Sequence, residues 1–485
     1  MRPTLPAAAL LVLLLNMVAT SPGRAAPVAV GTIPVAAPGY YVVPWATGLL
    51  HPTSLTWGPD GWLWVTQLEG EVLALKNLDG VGGADTTVVF ADGLTWPLGL
   101  AHHQGSVFVT SLQTVTKFTD WNNDRVADTL VVLSDQIPSG KHWTTDIAVG
   151  PDNLLYVGVG SQSNRGLNTH PWASSILRFH PTSGFVDIYA TGFRNPYGLA
   201  FHAEGALFGT ENGAGPDSAW NCDEAVDELN WIRPGANFGF PYCHGDGDCA
   251  DVSAYCMPAP CGAGDCQQFG GCDLSMTSPL LRLDPHGSSD GLCFGTGFTG
   301  FDGNDLFIAQ FGQQESVPEC FTSFGHKIVR TRVSKSGVTW SAGPTTDFVT
   351  GIARPLDVAV GPDGSLYVCD FATSMIWRVV KTAGGVGVPD AERQPAPPAM
   401  AFTLSPNPAT DVVRIDWIRP PTEPASVLVL DVGGRVVADL GVFDPDSVIR
   451  WDRLDAGGRR VVAGLYFVRA MAGDHSASAR VILVD

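Results

Sequence analysis

The sequence predicts an all-β chain, a six-bladed β-propeller followed by a small C-terminal β-sandwich, on three observations. Short apolar runs alternate with turn residues throughout, with 56 Gly and 36 Pro among 485 residues and few long helical periods. One strand–turn–strand phrase recurs six times along the chain. A linker rich in Gly, Pro and Ala then separates these repeats from a tail with its own alternating strands.

The chain opens on a segment read as a signal peptide over 1–26. Arg2 gives a positive start, Ala7 to Ala19 is nearly all apolar, and small residues surround Ala25 and Ala26. A membrane anchor would want about 20 apolar residues, so the expectation is export, to the medium or to the outer cell surface. The formal net charge of −20 repels phosphate backbones and anionic lipid, which argues against nucleic acid or a membrane surface as partner.

The repeats occupy 40–382. They read LTWGPDGWLWVT from Leu55, LAHHQGSVFVTS from Leu100, IAVGPDNLLYVGVG from Ile147, LAFHAEGALFGTEN from Leu199, FTGFDGNDLFIAQ from Phe298 and VAVGPDGSLYVCD from Val358. Asp-Gly and related turns supply the positive-φ positions that close a hairpin. The copies are mostly spaced as four-stranded propeller blades are, so each phrase predicts one blade. Ring closure then requires a strand near Tyr41 to Trp45 to pair with the blade ending in Ile376 to Val380. The wide gap between the fourth and fifth copies holds an insertion read as 243–293.

All ten cysteines follow the signal, and six crowd into Cys243 to Cys272. In an exported chain that pattern reads as a disulfide-stapled loop of undetermined connectivity. The absence of a CxxC pair among them argues against a zinc cluster. The linker covers 383–399, and 400–485 carries VVRIDW, SVLVLDV and GLYFVRA with turns at Gly433-Gly434 and Gly457-Gly458, the pattern of a small sandwich.

A propeller assembles its site where several blades converge on the central channel. The candidates are therefore polar residues just ahead of the first strand of a blade. His142 is placed as a base near neutral pH, and Arg194, Asn195 and Arg354 as groups that meet a developing oxyanion or an anionic ligand. For metal, Asp120, Asn122, Asp124 and Asp128 follow the alternating oxygen spacing of a calcium loop, although Arg125 replaces the turn glycine and no closing Glu follows. Asp223, Glu224, Asp227 and Glu228 form a second acidic run before Asn230.

The set HWTTDIAVGPDNLLYVGVGS, GFRNPYGLAF, TENG, DELNWIRPGANFGFPY, GHKIVR and ARPLDVAVGPDGSLYV resembles the glucose/sorbosone dehydrogenases, six-bladed propellers that use pyrroloquinoline quinone (PQQ). The resemblance runs from about Ser54 to Val380. It implies a secreted oxidoreductase acting on an aldose or sorbosone-like sugar, with PQQ and Ca2+ as cofactors and an external electron acceptor. On the matching positions it implies that His142 is the catalytic base and that Arg194 and Asn195 contact the quinone. It further implies Asn212 and Gly213 beside the calcium, Arg354 on a cofactor carboxylate, and structural calcium near the acidic run that precedes Asn230.

The sequence also departs from that pattern. Lys141 stands where an acid often precedes the histidine, Ala214 follows the calcium-site glycine, Leu356 replaces a second cofactor arginine, and Ala309 to Ser316 has no lysine. Those departures support the rival reading, a non-catalytic propeller whose channel binds a glycan or protein. A calcium-centred lactonase-type hydrolase is a third reading. The tail, with SPNPATDVVRI, VLVLDVGGRVV and AGLYFVRA, is similar to FlgD-like and type IX secretion C-terminal domains, which implies attachment to the cell surface.

Overall fold

In the computed structural model, the described residues are 34–80, 82–164, 167–213, 226–241, 276–285, 287–312, 324–382, 401–406, 409–431, 436–445, 447–455, 457–472 and 475–484. The segment read from sequence as a signal, most of the cysteine-rich insertion and the linker lie outside them. The chain divides into two compact units, Met1–Gly387 and Val388–Asp485.

The first unit holds six sheets in blade order. Blade I is Pro52–Trp57, Leu63–Gln67, Val72–Lys76 and Thr86–Ala91. Blade II is Gly99–His103, Ser106–Ser111, Thr114–Thr119 and Thr129–Ser134. Blade III is Thr144–Val149, Leu155–Val159, Ser175–Phe179 and Val186–Thr191. Blade IV is Pro196–Phe201, Leu207–Glu211, Val226–Ile232 and Leu281–Pro285. Blade V is Ser289–Phe294, Asp305–Gln310, Lys327–Ser336 and Thr346–Thr350, with two short added strands. Blade VI is Pro355–Val360, Leu366–Asp370 and Met375–Lys381, completed by Tyr40–Thr47 from the front of the chain.

Closure joins the two strands that the sequence suggests. Tyr41 pairs with Val380, Val42 with Val379 and Pro44 with Trp377, all antiparallel. The first strands of the six blades form a ring in which each packs on the next and the sixth on the first.

The recurring hairpin has a local cause. Gly61, Gly105, Asn153, Gly205 and Gly364 hold the same turn position, all at positive φ, and Asn153 is the residue type that tolerates it best after glycine. In the Gly-Pro-Asp copies an aromatic ring lies over the turn. A Cβ at Gly150 would stand 2.5 Å from the Tyr156 ring, and one at Gly361 would stand 2.4 Å from Tyr367. The same tyrosines donate their hydroxyls to Asp152 and Asp363. The fifth copy differs, because its first strand, Ser289–Phe294, precedes the quoted phrase and Phe298 sits in a longer turn.

The second strand of every blade is buried along its whole length. Both of its faces are covered by neighbouring blades, which is why these strands read as continuous apolar runs. Six hydrophobic clusters among the described residues each straddle two adjacent blades, from Trp64 with Val109 between I and II to Tyr367 with Leu63 between VI and I. Stability therefore accumulates at blade interfaces, and a free end would leave one interface open.

Adjacent first strands approach closely where the residue just before the first recurring apolar position is small or acidic: Ser54, Gly99, Asp146, Gly198, Gly291 and Asp357. Asp146 accepts the N–H of Leu199 from blade IV, and Asp357 accepts the N–H of Leu55 and the hydroxyl of Ser54 from blade I. Two opposed carboxyls thus tie adjacent blades together. Burial pushes Asp357 up to about 6 and Asp146 well above the usual range.

Cys293 and Cys369 are free thiols within blades V and VI, and the remaining cysteines lie outside the described residues. Leu281–Pro285 and Ser289–Phe294, inside the stretch read from sequence as insertion, are blade strands.

The second unit is a two-sheet sandwich. Ala401–Ser405, Val413–Arg419 and Ile449–Trp451 form one sheet. Val436–Phe443, Ala425–Asp431, Gly464–Ala472 and His475–Leu483 form the other. They share a core around Val413, Val427, Trp451 and Val468. Arg453, 1% exposed, donates to the carbonyls of Thr410 and Val484 and so ties the last strand to the first loop.

The ring of close approaches gives a direct prediction. A Cβ at Gly291 would lie 2.1 Å from Asp357 Oδ1 and 2.6 Å from its Cα, so Gly291→Ala should destabilise the chain by about 1–3 kcal/mol in chemical denaturation. Gly343→Ala, whose nearest new neighbour is 3.6 Å away, should stay within about 0.5 kcal/mol of the parent.

Candidate active site

The start of a blade's first strand and the end of its antiparallel second strand lie at the same end of the blade. His142 precedes Thr144–Val149, Arg194 and Asn195 precede Pro196–Phe201, Arg354 precedes Pro355–Val360, and Asn212 and Gly213 follow Leu207–Glu211. The ring of first strands therefore brings these residues to one mouth of the channel. Irregular pairing at the start of five first strands, in blades I, III, IV, V and VI, re-aims the side chains there.

His142 is partly buried, and Nδ1 is 2.9 Å from Ser161 Oγ. Ser161 Oγ donates to the Ser163 carbonyl at 2.6 Å, so it accepts from His142. The imidazole therefore carries its proton on Nδ1 and presents Nε2 as an acceptor. Burial holds its pKa well below the ordinary value, and the positive charges of Arg194 and Lys141 lower it further. A neutral histidine of fixed tautomer results.

Arg194, 8% exposed, is held on several sides. Its guanidinium donates from Nη1 to the carbonyls of Asn212 at 3.1 Å and Gly213 at 2.8 Å. Nε donates to the Asn164 carbonyl at 3.1 Å, and Nη2 donates to the Asn164 side chain. Its backbone N–H donates to Glu211. Its carbonyl accepts the Ser161 N–H, which links the two candidate residues through one short path across blades III and IV.

Asn195 Nδ2 donates to Asn212 Oδ1 at 2.7 Å, and Asn212 Nδ2 donates to the Ser289 carbonyl and to Asp290. Arg354 stands across the mouth. Its Nη1 donates to the Gly312 carbonyl at 2.9 Å, and its guanidinium lies 4.9 Å from the Phe311 ring.

Several mouth residues escaped sequence reasoning because their roles depend on contacts between blades. Ser161 fixes the His142 tautomer. His326 donates from Nδ1 to the Ala353 carbonyl at 2.7 Å, beside Arg354, and burial lowers its pKa. Phe371 packs against both His51 and Phe311. Trp96 and Trp143 stack at 4.8 Å with planes 29° apart, next to His142. The only sequence signal for these was their position at the ends of repeat strands.

The acidic loop is elsewhere. Asp120, Asn122, Asp124 and Asp128 lie between the third and fourth strands of blade II, at the end opposite the mouth. Their oxygens accept N–H groups of the loop itself, and the Arg125 guanidinium pairs with Asp120 and Asp60. Arg125 thus supplies the positive charge that this loop faces.

The residues at the mouth suit an anion better than a metal ion. Arg194 and Arg354 stand there and Lys141 adjoins His142, while three buried carboxylates are already hydrogen-bonded inside the protein. Glu211 accepts from Arg194, Asp227 from the N–H groups of Gly213 and Ser289, and Asp290 from Asn212. Asn212 Oδ1 and the Gly213 carbonyl already accept from Asn195 and Arg194, so a calcium ion there would face a guanidinium at hydrogen-bonding distance. Among the described residues, no group of three or more His, Cys, Asp and Glu side chains is arranged around a metal position.

Deeper in blade IV, Glu211 pairs across the sheet with Glu228. Burial raises Glu211 well above the usual range and Asp227 to about 6. Asn230 Oδ1 is buried there without a partner. Asp223, Glu224 and Ala214 lie outside the described residues, and Leu356 is buried.

The Ser161 contact is directly testable. In nitrogen-15 NMR of the imidazole, His142 should titrate below about 6.5 and show Nδ1 protonated in the neutral form. Ser161→Ala should shift the population toward the other tautomer while leaving the circular dichroism spectrum unchanged.

Comparison with known proteins agrees with this architecture. A family model described as "Domain of unknown function (DUF7133)" matches residues 46–237. Quinoprotein glucose dehydrogenase B of Acinetobacter calcoaceticus is 27% identical over 252 residues, covering 40% of this chain and 51% of that protein. An uncharacterized protein of Borreliella burgdorferi is 26% identical over 257 residues, covering 51% and 61%. The chain thus spans about half to three fifths of these curated relatives.

Among solved structures, the PQQ domain of a pyranose dehydrogenase from Coprinopsis cinerea superposes with a TM-score of 0.60 at 17% identity, covering 72% of this chain and 97% of that one. A PQQ-bound aldose sugar dehydrogenase from Streptomyces coelicolor gives 0.51 at 19%, covering 71% and 100%. The first unit therefore has the propeller fold found in PQQ-dependent sugar dehydrogenases.

Proposed function

We propose that the chain is an exported quinoprotein that oxidises an aldose at its anomeric carbon, with PQQ as the hydride acceptor in the mouth described above. The observation that carries this reading is His142, a neutral imidazole whose Nε2 is free to accept a proton and whose partner cation, Arg194, is immobilised one strand away. When bound, PQQ supplies an electron-poor ortho-quinone that accepts the hydride. Arg354, over Phe311 and beside Phe371, is the residue assigned to a cofactor carboxylate, and Arg194 with Asn195 to the reactive carbonyl edge.

The chain's own chemistry follows from these positions. His142 Nε2 takes the proton of the anomeric hydroxyl as the C–H bond gives up its hydride, and the sugar leaves as a lactone. The depressed pKa keeps the base unprotonated at neutral pH. Arg194 needs no reorganisation to stabilise charge growing beside it, because five hydrogen bonds of its side chain and backbone already hold it in place. An external acceptor would then reoxidise the cofactor.

Asn212 Oδ1 and the Gly213 carbonyl already accept protein hydrogen bonds, so a calcium ion there would have to displace Asn195 and Arg194. That same saturation favours the alternative reading of a non-catalytic propeller that binds a glycan or protein in its channel. We also assign the 1–26 segment to export and the C-terminal sandwich to attachment at the cell surface. Those assignments rest on the sequence.

Dye reduction over a panel of aldoses, with the full mature chain, PQQ and calcium, tests the reading. His142→Ala should lower kcat by roughly 10²- to 10⁴-fold with circular dichroism unchanged. The acid limb of the pH–rate profile should fall below about 6.5, because His142 is held below its ordinary value. Turnover that survives the loss of His142 would remove it as the base.

A further inference from the structure

We infer that the sugar this mouth selects carries an anionic substituent, a carboxylate or phosphate on the carbon farthest from its reducing end, recognised by Lys141, two residues before the Trp143 of a Trp96–Trp143 platform. The inference rests on the proposed sugar chemistry and concerns which sugar binds. It begins from charge. Two cations flank His142: Lys141, its neighbour in the chain, and Arg194, joined to it through Ser161.

Asp92 and Asp135 are exposed at the outer ends of the loops that lead to Trp96 and Lys141, and the acids nearer the channel are engaged. Glu211, Asp227 and Asp290 are buried and hydrogen-bonded. Asp370 accepts from the Arg354 N–H, Thr373 and Trp377. Glu69 pairs with His51 at 2.6 Å on blade I. Arg194 is likewise tied to carbonyls. Lys141 is different: its backbone N–H donates to the Gln162 carbonyl, its side chain is exposed, and its ammonium has no acidic partner among the described residues.

The aromatic pair supplies the second half of the subsite. Trp143 follows His142 directly and stacks on Trp96 from the loop ahead of blade II, whose backbone holds positive φ. Both rings are partly exposed. A pyranose offers an apolar C–H face that an indole covers well, and an indole keeps its π-face near a cation. A sugar resting there with its anomeric hydroxyl toward His142 has its far end free to meet a neighbouring ammonium. Oxidation removes one hydride to the quinone and one proton to His142, so the anionic group passes unchanged into the lactone.

Isothermal titration of the full mature chain, with and without PQQ, separates this inference from the dehydrogenase reading. Glucuronate, glucose 6-phosphate and glucose are the three ligands. At least one anionic sugar should bind roughly three- to tenfold tighter than glucose at low salt, the advantage shrinking as salt rises. Lys141→Glu should abolish or invert that ratio, and Trp96→Ala should weaken all three ligands together.

Which anionic sugar wins tells carboxylate from phosphate. Glucose binding as tightly as both anionic sugars overturns the inference, as does a ratio unchanged in Lys141→Glu or an absence of saturable heat for all three. Failure of dye reduction with the binding preference intact would remove the dehydrogenase reading and leave the subsite.

Discussion

The pairing of Tyr40–Thr47 with Met375–Lys381 is the constraint on which the rest of the propeller depends. It converts a row of blades, each bonded only to its neighbours, into a ring. Each of the six apolar clusters spans two blades, so an open ring would expose two blade faces rather than one strand. Closure also gives the first strands a common axis. Without that axis, His142 from the approach to blade III and Arg354 from the approach to blade VI would not share a mouth.

Within the ring, the mouth is built from polar groups that have largely satisfied one another. Asp146 and Asp357 bond to the backbone of the following blade, Glu211 receives the Arg194 N–H, and Asn195, Asn212 and Asp290 form a chain from blade IV to blade V. Burying so many carboxyls is costly, as the upward shifts of Asp146, Glu211 and Asp290 register. That cost maintains a set of cations and one neutral histidine in fixed positions.

Much of the fold was legible because it is periodic. Turn glycines, Pro-Asp pairs and continuous apolar second strands repeat along the chain, and the pair of closing strands followed from the need to close a ring of such repeats. The fifth copy was placed late because its turn is long, which moves Phe298 out of the strand. The position of His142 and Arg194 at the mouth was readable from their place ahead of a repeat strand. Ser161, Trp96 and His326 were not, because each matters through a contact with a residue distant in sequence. The oxygen spacing from Asp120 to Asp128 suggested calcium, whereas the packing of Arg125 against Asp120 and Asp60 could be known only from the fold.

The proposed function places an anionic quinone at this mouth between Arg194 and Arg354. Titrating PQQ into the purified full-length mature chain, and following quinone absorbance, tests it most directly. Saturable binding of one quinone per chain is expected, weakened at least tenfold in Arg354→Ala, the loss of a charge-assisted contact being worth about 1.4 kcal/mol or more. Binding that does not saturate, or that is indifferent to Arg354, would contradict it.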